Sequence, residues 1–95
     1  MTPEGKVKDK VKKVLKEFNA YYVMPMGTGF GNAGVPDFVA CHHGVFIGIE
    51  CKAGSNWNLT SLQRSNLEQI IRCGGRSLVI NETNVDELRA ILEIL

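Results

Sequence analysis

The chain has 95 residues, of which 44% are hydrophobic and 22% charged, and its formal net charge is +1. That length supports one small domain, residues 1–95, around a single core and not two. Three features are not expected: a bilayer-spanning segment, which needs ~18 uninterrupted apolar residues; a secretory leader, because the opening is lysine-rich and amphipathic; and a partner selected by bulk charge. The expectation is an intracellular, cytoplasmic protein with no membrane partner. Cys41, Cys51 and Cys73 are odd in number and form no CxxC pair, so they read as reduced thiols and not as a disulfide framework. The sequons at Asn58 and Asn81 then carry no meaning.

Thr2-Pro3-Glu4 starts a helix, with a capping hydroxyl, a proline at the first helical position and an acid at the positive end of the dipole. Val7, Val11, Val14, Leu15 and Phe18 follow at helical spacing within about a 100° arc, and the helix is expected to run to about Asn19. The same wheel puts Glu4 inside that arc, so it should point toward the sheet. Six lysines (6, 8, 10, 12, 13 and 16) against three acids give residues 1–18 a net +3, while the remainder carries −2. This lysine face is either ordinary solvated surface or a phosphate-holding one, with Lys6, Lys8, Lys10, Lys12 and Lys13 as the candidate nucleic-acid contacts.

Ala20 to Met24 reads as the first strand, closed by Pro25. The loop from Met26 to Gly34 contains Gly29-Phe30-Gly31-Asn32-Ala33-Gly34, formally a GxGxxG. Because it leads into Val-Pro and a strand, not a helix, a dinucleotide site is rejected. The loop can offer backbone amides, Thr28, Asn32 and Phe30 to a phosphate.

Asp37 to Cys41 and Val45 to Lys52 read as two apolar strands joined by a turn at His42-His43-Gly44. Cys41-His42-His43 does not make a zinc site, since adjacent histidines on a hairpin should point in opposite directions and no further cysteine stands at ligand spacing. Thr60-Ser61-Leu62-Gln63 is a capping box for a second helix with the apolar stripe Leu67, Ile70 and Ile71, ending at Gly74-Gly75. Gln63 falls at the centre of that stripe. Arg76 to Ile80 forms a last strand. Asn84-Val85-Asp86-Glu87 caps a final helix whose apolar residues, Val85, Leu88, Ile91, Leu92, Ile94 and Leu95, cover roughly half its circumference, more than one sheet requires. The excess suggests a homodimer.

Charges at the ends of otherwise apolar strands need a reason. Residues two apart on a strand project from one face about 7 Å apart, so Glu50 and Lys52 stand side by side while Cys51 points away. Asp37, at the start of the preceding strand, can meet them. A buried ion pair of Lys52 with Glu50 or Asp37 is the simpler account. Pro36 fixing the strand entry, the separation fitting one hairpin, and two acids against one base favour a site for a divalent cation. Glu4 adds a carboxylate at its rim. Both helices thus set one polar residue on the first turn of an apolar face, which favours a shared polar cavity.

Pro36-Asp37 and Glu50-Cys51-Lys52 resemble the two halves of the PD-(D/E)xK nuclease motif. The order of helix, Gly34-Val35-Pro36-Asp37, Glu50-x-Lys52 and a helix carrying Gln63 is similar to the stand-alone virus-type VRR-NUC domain over nearly the whole chain. The resemblance implies an α/β, restriction-endonuclease-like fold in the order αβββαβα, with a central mixed sheet of about four strands flanked by helices. It also implies a metal-dependent phosphodiesterase cutting DNA to a 5′-phosphate, acting on four-way junctions or other branched DNA as a homodimer in the manner of a Holliday-junction resolvase. Asp37 and Glu50, with the Cys51 carbonyl, would ligate Mg²⁺ or Mn²⁺, and Glu4 would support the metal directly or through water. Lys52 would orient the nucleophile or stabilise the transition state, and Gln63 would hold Lys52 or a metal-bound water. Two other readings stay open: a non-cleaving DNA-binding or interaction module of the same fold, and a nuclease acting on RNA or another phosphoester.

Overall fold

In the computed structural model, residues 1–26 and 33–95 are described. Helix α1 (Pro3–Glu17) begins where Thr2 Oγ1 accepts the Gly5 N–H at 3.0 Å. It ends two residues earlier than its apolar pattern predicts, because Phe18 is the C-cap and Asn19 turns into the left-handed region at φ 55°. That reversal carries the chain into β1 (Tyr21–Val23), a shorter strand than the expected Ala20–Met24. Strands β2 (Phe38–His42) and β3 (Val45–Cys51) form the hairpin. Its boundaries sit one residue later than expected at Asp37 and His42, so Asp37 precedes the strand and His42 belongs to it.

Helix α2 (Ser61–Arg72) crosses to β4 (Arg76–Ile80), and α3 (Val85–Ile94) closes the chain. The sheet order is β1-β2-β3-β4, with the first three strands antiparallel and β4 parallel to β3. This is the expected αβββαβα order around a mixed sheet of four strands.

The strand period of two decides which helix each residue meets. Phe38, Ala40, Ile47, Ile49, Cys51 and Ile80 form one buried cluster with Val7, Val11, Val14 and Leu15 of α1 and Leu88 and Leu92 of α3. The alternate residues of β3, Gly48 and Glu50, face α2. A Cβ on Gly48 would lie 2.5 Å from Ile70 Cδ1, so the glycine permits α2 to approach the sheet closely. The α2 stripe is narrower than its sequence suggests: Leu67 is buried and Ile70 half-buried, but Ile71 is exposed. A helix lying on so small a pair of residues needs only one ridge.

Three further expectations are corrected. His43 adopts φ 50°, and its ring stacks on His42 with centroids 3.9 Å apart, so the two rings share a side; His42 is buried, edge-on to Phe18. Asn84 occupies the N-cap position of α3 without a side-chain cap hydrogen bond, its amide instead donating to the Val79 carbonyl and Glu87 Oε2. The wide apolar surface of α3 is mostly used at home: Leu88 and Leu92 are buried, Val85 and Leu95 pack against the core, and Ile94 alone among its large apolar residues is strongly exposed, at 79%. No helix of the described residues is long and apolar enough to cross a membrane.

Candidate active site

At the end of the sheet where β3 finishes, the first turns of α1 and α2 converge on Glu50. This convergence has local causes. The α2 start is set by a complete capping box, in which Thr60 Oγ1 accepts the Gln63 N–H at 3.1 Å and Gln63 Oε1 accepts the Thr60 N–H at 3.0 Å. The segment leading to Asp37 lies directly against that turn: Gly34, at φ 79°, comes so near that a Cβ there would sit 2.5 Å from the Leu62 carbonyl carbon. Only glycine is comfortable at such a φ and such a distance.

Gln63 is the hub of a polar network. Besides its capping bond, Oε1 accepts from Lys52 Nζ at 3.2 Å, and Nε2 donates to Glu50 Oε1 at 3.3 Å. One carboxamide thus orients the base and one of the acids. Asp37 is held from the other side, its Oδ2 accepting the Cys51 N–H at 2.8 Å. Its Oδ1 faces Lys8 Nζ at 3.5 Å.

Glu50 is 3% exposed, and its Oε2 has no hydrogen-bond partner among the described residues. A buried carboxylate oxygen without a partner is expensive. Burial first, then the adjacent Asp37 carboxyl, which can hydrogen-bond Glu50 only when one of the two is protonated and otherwise repels it, push the Glu50 carboxyl from 4.5 up to about 8, with Lys52 opposing the rise and Glu4 adding to it. The Cys51 thiol lies in the apolar core, and burial followed by the charges of Asp37 and Glu50 pushes it up to about 12. It is therefore a packed thiol and not a thiolate ligand.

These donors fit a hard divalent cation: two neighbouring carboxylates, one of them buried with an oxygen that no protein donor reaches among the described residues. No set of three His, Cys, Asp or Glu side chains in metal-holding geometry occurs among the described residues. Glu4 is accordingly placed further out, half-buried on α1, where its charge is felt at Glu50 and Cys51. Asp37, Glu50, Lys52 and Gln63 are brought together as the spacing predicts.

Lys8 is what the sequence reading missed. Spacing alone makes it one of the candidate phosphate contacts on the lysine face, yet it pairs with Asp37; the simpler alternative, an ion pair of Lys52 with Glu50 or Asp37, does not form, since among the described residues no carboxylate lies within ion-pair distance of Lys52. The available signal was its position four residues after Glu4, which places both on one face of α1. Of the other candidate phosphate contacts on α1, Lys6, Lys10 and Lys13 are exposed and Lys12 is half-buried. Thr28, Asn32 and the glycine-rich stretch around Phe30 fall outside the described residues.

No protein-family profile matches the sequence, and no curated protein matches it. Among solved structures, the chain is similar to a "VRR_NUC domain" at a TM-score of 0.80 and 23% identity, covering 95% of this chain and 97% of that one. It is also similar to a "VRR_NUC domain protein" at a TM-score of 0.71 and 20% identity, covering 97% and 86% respectively. At such identities the likeness establishes the fold, which is shared with these VRR_NUC domain structures over 95% or more of the chain.

Proposed function

We propose that the protein is a Mg²⁺- or Mn²⁺-dependent DNA endonuclease. The observation that carries this reading is the orphaned, buried Glu50 oxygen beside Asp37, in a chain whose fold is that of a nuclease domain. Asp37 and Glu50, with the Cys51 carbonyl and water, would hold the divalent ion, which when bound would supply an activated water and Lewis-acid polarisation of the scissile phosphate. The chain's own groups do the rest. Gln63 fixes the Lys52 ammonium through Oε1, so that it stands ready beside the acids to orient the nucleophile or to stabilise charge developing on the phosphate oxygens. The Cys51 N–H keeps the Asp37 carboxylate in one orientation. Glu4 would support the metal from the rim, directly or through water.

Purified protein incubated with linear, nicked, flapped and four-way-junction DNA should cut in Mg²⁺ or Mn²⁺ and not in chelator. Asp37→Ala, Glu50→Ala and Lys52→Ala should each lower cleavage by about a hundredfold or more while remaining folded, the scale on which losing one transition-state-stabilising group acts. Undiminished cleavage by Asp37→Ala or Glu50→Ala sinks the assignment.

The finer reading is a symmetric homodimer acting on branched DNA. One small domain with one site cuts one strand, and two copies would present two sites in fixed relation, matching the two-fold character of a four-way junction. The exposed Ile94 on α3 is apolar surface suited to such a contact. Light scattering at micromolar concentration together with cleavage of junction against plain duplex decides it: a monomer that cuts both equally well ends this part and leaves the catalytic assignment standing.

A further inference from the structure

Lys8 is unlike the other lysines of α1. Its Nζ lies 3.5 Å from Asp37 Oδ1, with both side chains partly screened from solvent at 33% and 22% exposure. Its charge is felt as far as Cys51. The contact is long for a charge-assisted hydrogen bond, which closes to about 2.7–2.9 Å, so it is a loose pair. The Asp37 oxygen it faces is the one that does not accept the Cys51 N–H, so a cation held between Asp37 and Glu50 would compete with Lys8 for the same carboxylate. Two positive charges cannot share that carboxylate without strong repulsion.

We propose that Lys8 is a substrate-binding residue held in reserve: it is the counter-cation of Asp37 while no divalent ion is bound, and it contacts a phosphate of the nucleic acid once one is. The inference rests on the nuclease reading of the same site. It deepens that reading by assigning a phosphate contact whose availability depends on the metal. Lys8 is suited to the exchange because it sits on the helix face that carries Glu4, at the mouth of the site, and because four methylenes let an ammonium change partner without moving the helix. The ordering of events follows: nucleic acid gains this contact only at a site already charged with its ion.

The test uses two binding measurements and no turnover. Calorimetric titration of Mn²⁺ into Lys8→Gln should show at least about threefold tighter binding than wild type, since a competing charge a few ångströms away has gone; Lys8→Arg, which keeps the charge, should stay near wild type. Lys16→Gln, an exposed lysine at the far end of the helix, should change Mn²⁺ affinity by less than the screened, distant charge warrants, about 1.5-fold. Fluorescence anisotropy on a short DNA duplex should then show Lys8→Gln weakening binding about fivefold in Ca²⁺ and leaving it unchanged in EDTA, where wild-type Lys8 is already occupied by Asp37. Equal weakening in both conditions makes Lys8 an ordinary surface charge and overturns the proposal, as does unchanged Mn²⁺ affinity in Lys8→Gln. A wild-type protein that binds no Mn²⁺ overturns the nuclease reading and this inference with it, so the two failures are told apart by the wild type.

Discussion

Two polar side chains are buried near the same end of the sheet, and they are treated in opposite ways. Asn81, 1% exposed at the end of β4, has every group bonded. Its N–H donates to Asn84 Oδ1, its Nδ2 to the Gly54 carbonyl at 2.9 Å, and its Oδ1 accepts from both the N–H and the hydroxyl of Thr83. Glu50, at 3%, keeps one oxygen without a partner among the described residues and its carboxyl is pushed up to about 8. A fully satisfied buried polar group specifies structure, whereas a half-satisfied one costs stability and points to a ligand. Asn81 ties the loop that follows Lys52 to the β4–α3 turn, whereas Glu50 is buried with one oxygen that no protein donor reaches among the described residues.

The sharpest way to break the contrast is to remove each group. Glu50→Gln should lose cleavage by about a hundredfold or more while folding normally. Asn81→Ala should show the reverse: about 2 kcal/mol of stability lost, because several buried partners are stranded together, with the specific activity of the folded fraction little changed. Urea denaturation beside a cleavage assay measures both, and a Glu50→Gln protein that unfolds while its folded fraction still cuts would erase the distinction.

Next in size is the close approach at Gly34. Gly34→Ala places a methyl against the backbone of α2 at a φ that favours glycine; the expected cost is about 1–3 kcal/mol. Turnover should fall as well, because Gln63 starts that helix turn. Thermal melts and turnover of the folded protein check it.

The raised Glu50 carboxyl then makes metal-free stability depend on pH. Between about 4.5 and 8 the folded protein holds a proton that the unfolded chain has released. Stability from this source is therefore complete below the lower value and is lost as pH rises through the upper one. Melting temperatures in chelator should decline across that window, Glu50→Gln should flatten the decline, and saturating Mg²⁺ should do the same by favouring the ionised form. A pH-independent wild-type melt in chelator contradicts it.

The smallest stability effects belong to the helix-borne polar residues. Gln63→Ala and Glu4→Gln should each reduce turnover substantially while changing stability by about 1 kcal/mol or less, the range of a lost cap partner or of a polar change outside the packed core. Unfolding of either variant without loss of specific activity in the folded fraction would make that residue structural.

The order of elements, the faces of α1 and the grouping of Asp37, Glu50, Lys52 and Gln63 were legible in the chain, because period, capping and strand alternation are local rules. The α2 capping box is a sequence pattern that folds as written. What a local rule cannot supply is the partner across space. That Lys8 and not Lys52 faces Asp37 depends on how α1 lies along the sheet. That Ile71 is bare, and that most of α3 is used up by the core, depends on how closely helices approach glycine-lined or apolar strands. The stacking of His42 and His43 follows from one left-handed residue in a turn. Residue type and spacing determined which groups could do the chemistry; tertiary packing alone decided which oxygen is left without a hydrogen bond, since satisfaction is a property of the whole surrounding shell and not of the segment that carries the group.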